Sequence, residues 1–85
     1  MNPGLHLIDV LLVSPADGIL YEGKVQGVLL PGEQGVFEVL PNHKPFMSRL
    51  LPGEIVIEGR SIPIQRGIVK IALNRVVAII EAQKN

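Results

Sequence analysis

Cysteine and tryptophan are both missing from this chain of 85 residues, and one Tyr and two Phe are its whole aromatic supply. Without cysteine there is no disulfide framework, no thiolate metal site and no cysteine nucleophile, a pattern that fits a reducing compartment. An excess of charge is missing too, because eight Lys and Arg offset eight Asp and Glu. The basic residues are scattered singly from Lys24 to Lys84. No basic stripe exists to release counterions, and few rings exist to stack bases, so nucleic acid is not an expected partner. No apolar run reaches the roughly 18–20 residues that cross a bilayer as a helix. The opening "MNPGLHLIDV" has neither a basic n-region nor a small-residue cleavage site, so no export signal is expected. Any membrane association is expected to come through a partner protein.

What the chain does have is apolar bulk and frequent breaks. Hydrophobic residues make up 47% and charged residues 19%, a globular composition. A chain this short buries about 60–65% of its unfolded surface, which suffices for one modest core. Residues 1–85 are therefore expected to form a single domain. Nine Gly and seven Pro recur at short intervals up to Gly67, leaving little room for helices of the usual three turns. Between the breaks lie runs rich in Val, Ile and Leu, which predict strands at about 5–13, 18–23, 25–30, 35–40, 45–50, 54–58, 61–65, 67–73 and 76–82.

Turn chemistry agrees with these boundaries. "SPADG" closes the first strand, "LPGEQG" the third, and "EGRS" at 58–61 reads as a hairpin turn with Gly59 free to take positive φ. Ile55 and Ile57 share one face of their strand, and Ile62 and Ile64 alternate in the next. Residues 68–85 lack Gly and Pro, yet their seven Val and Ile side chains between Ile68 and Ile80 favour extended backbone over helix. Asn74-Arg75 is the expected break that makes this tail a hairpin. The predicted fold is all-β: a two-sheet β-sandwich or flattened barrel of about nine to ten short strands.

Motifs that carry chemistry are few. "GILYEGK" at 18–24 matches half of a phosphate-binding loop, but Val25 follows the lysine where Ser or Thr must hold magnesium, and the flanks read as strand rather than helix. Ser14, Ser48 and Ser61 lack a nucleophile-elbow setting, and His6 and His43 lie too far apart for a paired metal site. Glu22, Glu33, Glu38, Glu54 and Glu58 fall at turns or outer faces, where carboxylates are ordinarily solvated. Lys24 leads into a strand instead of standing at a hairpin tip, which argues against a lysine-bearing carrier domain. His43, between Pro41 and Pro45, has three readings: a loop histidine bonded to its own turn, a contact on a docking surface, or, last of the three, a catalytic or metal-binding group.

The block at residues 31–53 runs P-G-x-x-G-x-F-x-V-L-P-x-H-x-P-F-M-S-x-L-x-P-G. It closely resembles the N-terminal domain of the epsilon chain of F-type ATP synthases, and the flanks "HLIDVLLVSPADGILYEGKV" and "IPIQRGIVKIALNRVVAII" extend the likeness over nearly the whole chain. Three positions depart from the family pattern: Glu38 and Asn42 stand where Gly is common, and Arg66 replaces the first of a Gly pair. The resemblance implies a non-catalytic rotor component that docks on the gamma subunit and rests on the ring of c subunits. It would act at the cytoplasmic face of the bacterial inner membrane, coupling proton translocation to ATP synthesis. By family position, Glu33, Gln34, Val36 and Asn42 would approach the c ring, and His43 and Ser48 would face gamma. That favours the contact reading of His43. Most members continue into a pair of C-terminal helices that inhibits hydrolysis and in some cases binds ATP. The sequence given stops at Asn85, so the expectation is coupling without inhibition, with no cofactor and no ATP binding. The rival reading is a free-standing β-sandwich adaptor or ligand-binding module, with an enzyme a distant third.

Overall fold

The computed structural model describes residues 6–83. Eight strands follow one another: β1 (Ile8–Ser14), β2 (Gly18–Val25), β3 (Val28–Gly32), β4 (Gly35–Val39), β5 (Phe46–Leu50), β6 (Gly53–Ile57), β7 (Arg60–Ala72) and β8 (Arg75–Ala82). No α-helix occurs among the described residues.

The strands join in the order β2-β1-β8-β7-β5-β3-β4, while β6 bridges β3 and β7. The ladder β3-β5-β7-β6 thus returns to β3 and closes on itself, giving the flattened-barrel form of a sandwich. All pairings are antiparallel except β1 with β8, whose parallel register (Val10 opposite Val76, Leu12 opposite Ala78) brings the first and last strands together.

Nine strands were expected and eight are present, because the expected strands at 61–65 and 67–73 are one strand of 13 residues. Its first half pairs with β6 and its second half with β5. A register shift between Ile64 and Arg66 falls at the boundary expected between the two strands. Gly67 makes the tight passage possible. A Cβ there would lie 2.8 Å from both the Ile79 carbonyl oxygen and Ile80 Cγ2. Pro63 has no N–H to give, but its carbonyl accepts a bond from the Gln83 N–H at 3.1 Å.

Strand alternation builds the core. Ile8, Val10 and Leu12 of β1, Ile55 and Ile57 of β6, and Val76, Ala78 and Ile80 of β8 are all buried. Ser14, the one buried polar residue among those described, accepts the Asp17 N–H at 3.2 Å through its Oγ, which caps the first turn. The tail is a hairpin, as its β-branched residues suggested. Its two-residue loop is Leu73-Asn74, one position earlier than expected, with both residues at positive φ.

Candidate functional site

The site grows from the hairpin of β3 and β4. Gly32 pairs with Gly35 across a turn that presents Glu33 and Gln34 to solvent. Gly35 has φ +114°, a conformation L side chains rarely adopt. Gly32 is needed for a different reason, because an added Cβ would sit 2.8 Å from the Phe37 ring. That ring packs edge-on against Phe46, with centroids 5.6 Å apart, and so couples β4 to the start of β5.

Between these elements lies a shallow concavity of about 570 Å³. Glu33, Gln34, Val36, His43 and Ser48 all line it, together with the apolar Phe46 and Met47. Five of the six residues expected at an interface therefore share one surface. The sixth, Asn42, does not line it. The Asn42 N–H donates instead to Asn74 Oδ1 at 2.8 Å, at the tip of the β7-β8 hairpin. Its φ of +68° is one that Asn tolerates at a position where Gly is common.

Three polar groups of the concavity, on Glu33, His43 and Ser48, are engaged with the protein itself. Arg49 donates from Nη2 to Glu33 Oε2 at 2.6 Å and from Nε to the same oxygen at 3.2 Å. This hydrogen bond and the neighbouring negative charge raise the Arg49 pKa above its ordinary value. His43 Nδ1 donates to the Lys44 carbonyl at 2.7 Å, the bond to its own turn foreseen for a loop histidine, and its ring tilts toward Phe46. Ser48 Oγ donates to the Arg49 carbonyl at 2.8 Å. Both side chains thus bond to the backbone of their own segments rather than to each other. Among the described residues no three His, Asp or Glu side chains converge as a metal site. The arrangement offers shape, exposed apolar area and fixed charge, which suits binding.

Sequence reasoning missed the apolar floor of this surface. Met47 and Phe46 are exposed, at 63% and 45%, and Val36 at 68% joins them. The signal available in "FMSRL" was its alternation, which sets Met47 on the same face as the charged Arg49, and in the structure only Leu50 of the five residues is buried. A second concavity of about 890 Å³, between the Ser14–Asp17 turn and the outer face of β7 and β8, carries exposed Ile68 and Ile79 and was also unforeseen. The phosphate-loop half-match at 18–24 lies wholly within β2, so no helix begins after Lys24, and Lys24 pairs with Asp9 at 3.0 Å.

Residues 8–83 match the sequence model of a family described as ATP synthase, Delta/Epsilon chain, beta-sandwich domain. The chain is 40% identical over 75 residues to an ATP synthase epsilon chain of a Nitratiruptor species, covering 82% of this chain and 57% of that protein. It is 33% identical over 75 residues to the ATP synthase epsilon chain of Leptospira borgpetersenii, covering 84% and 58%. The chain thus spans little more than half the length of these relatives. A chain in the Euglena gracilis mitochondrial ATP synthase (OSCP/F1/c-ring, rotational state 1) has the same fold, with a TM-score of 0.77 at 21% identity over 88% of this chain and 51% of that one. A chain of the Tetrahymena thermophila mitochondrial ATP synthase central stalk and c-ring matches with a TM-score of 0.71 at 14% identity, over 86% and 62%.

Proposed function

Because the chain belongs to the delta/epsilon-chain family of ATP synthases, we propose that it is a non-catalytic subunit of the rotor stalk. In this reading it docks on the gamma subunit and the c ring and couples proton translocation to ATP synthesis. The observation that carries the proposal is the family match over residues 8–83, which covers the whole sheet and the 31–48 block together. Two features of the site support it. Glycine-fixed turns and the Phe37–Phe46 contact hold the surface in one shape, which lowers the ordering cost of association. Exposed Val36, Phe46 and Met47 lie beside the Glu33–Arg49 pair, an apolar centre with a charged margin of the kind interfaces use.

Within this scheme Glu33, Gln34 and Val36 meet the polar loops of the c ring, and His43 and Ser48 face gamma. Asn42, bonded to Asn74, lies on the margin shared with the β7-β8 turn. The protein would sit peripherally at the cytoplasmic face of a bacterial inner membrane, held there by its partners. The direct experiment is co-expression with gamma and affinity purification through a tag on this chain. Stoichiometric recovery of gamma is the expected result, and a chain that purifies alone at native salt would contradict the proposal.

A further inference from the structure

The loop between β7 and β8 contains an outlier that folding does not account for. Leu73 has φ +51° and is 97% exposed. A two-residue hairpin loop with positive φ at both positions favours Asn, Asp or Gly, which tolerate that conformation and stay hydrated. Leucine is poorly suited on both grounds. The other such loop among the described residues, Glu58-Gly59, also has positive φ at both positions but carries a polar residue and a glycine. Strained backbone combined with an exposed apolar side chain points to a role outside the fold.

The loop is also rigidly held, so Leu73 is not a fraying tip. Asn74 ties three segments together. Its Nδ2 donates to the Leu7 carbonyl at 2.8 Å, its Oδ1 accepts the Asn42 N–H at 2.8 Å, and its carbonyl accepts the Asp9 N–H at 3.1 Å. The second of these bonds joins the Leu73-Asn74 tip to the loop that carries His43. Two cations flank the composite edge: Lys44 follows two residues after Asn42, and Arg75 two residues after Leu73. Both are exposed, and neither makes an ion pair among the described residues.

We propose that Leu73 is an anchor of the docking surface, presented by the Asn74 clamp to an apolar socket with an acidic rim on the gamma subunit. This rests on the rotor-stalk reading above. It extends the surface beyond the His43 concavity, across Asn42, to the β7-β8 tip, with Lys44 and Arg75 facing the acidic rim.

The test is affinity for purified gamma, measured by calorimetry with the full chain, beside thermal melting of each variant alone. Leu73→Gly removes the side chain and relieves the backbone, so its melting temperature should equal or exceed that of the parent while affinity falls at least tenfold. Leu73→Met keeps an apolar anchor of similar volume and should bind within about threefold of the parent. Binding by Leu73→Gly equal to the parent would overturn the anchor and leave the rotor-stalk reading intact. A lowered melting temperature in Leu73→Gly, or a Leu73→Met variant as weak as Leu73→Gly, would also overturn it. Absence of binding by the unmodified chain would sink both readings together.

Discussion

β1 and β5 lie in the same hydrogen-bonded sheet and use their side chains in opposite ways. In β1, four of seven residues are buried, with Ile8, Val10, Leu12 and Ser14 turned inward in strict alternation. In β5 only Leu50 of five is buried, and β4 repeats the pattern with Val39 alone. Yet β4 and β5 are not polar strands, since they expose Val36, Phe46 and Met47. Apolar residues in β1 are explained by the core they fill. The exposed Val36, Phe46 and Met47 are not, because β4 and β5 reach the core through Val39 and Leu50 and could carry polar residues at these outward positions. The difference separates residues that make the fold from residues that the fold presents.

That contrast can be broken by substitution. Leu12→Ala removes a fully buried side chain and should cost about 2–5 kcal/mol of stability in chemical denaturation; a loss near zero would dissolve the distinction. Gly67→Ala forces a methyl group against a backbone oxygen and the Ile80 side chain, and should cost about 1–3 kcal/mol by the same measurement. On the presented side, Val36→Asp should leave stability within about 0.5 kcal/mol, because the side chain is largely in solvent. Its effect should appear instead as a loss of association with c-ring vesicles in co-sedimentation. Arg49→Ala should change the melting temperature least, since exposed ion pairs such as Arg49–Glu33 contribute little to folding. A substantial drop there would mean that the pair holds the β3-β4 turn in shape.

Much of this division was legible in the sequence, and the parts that were not share a cause. Local periodicity was enough for Ile55 and Ile57, for the turn at Gly59 and for the strand character of the tail, since each depends on neighbours in the chain. The β7-β8 turn was placed one residue late because Leu73 carries no turn signal, and Asn74 took the whole weight of the assignment. The continuity of β7 through Gly67 was hidden because glycine reads as a break, whereas here it serves close packing against β8. Long-range facts stayed out of reach. The parallel pairing of β1 with β8, the Glu33–Arg49 bond across 16 positions and the Asn74–Leu7 bond across 67 have no signature in composition or spacing. The candidate site was readable only by resemblance to a family. The fold then brought Glu33, Gln34, Val36, His43 and Ser48 onto one concavity and set Asn42 against Asn74.

His43 stands on the boundary between the two kinds of residue. It is half-buried, bonds its own turn through Nδ1, and still lines the presented surface. The most direct test of the account is therefore a paired measurement on His43→Ala: thermal melting of the free chain beside its calorimetric affinity for gamma. The account predicts a stability change of about 0.5 kcal/mol or less, with binding weakened by about 1 kcal/mol or more. A large fall in melting temperature with affinity unchanged would make His43 a structural residue and contradict the assignment of this surface to docking.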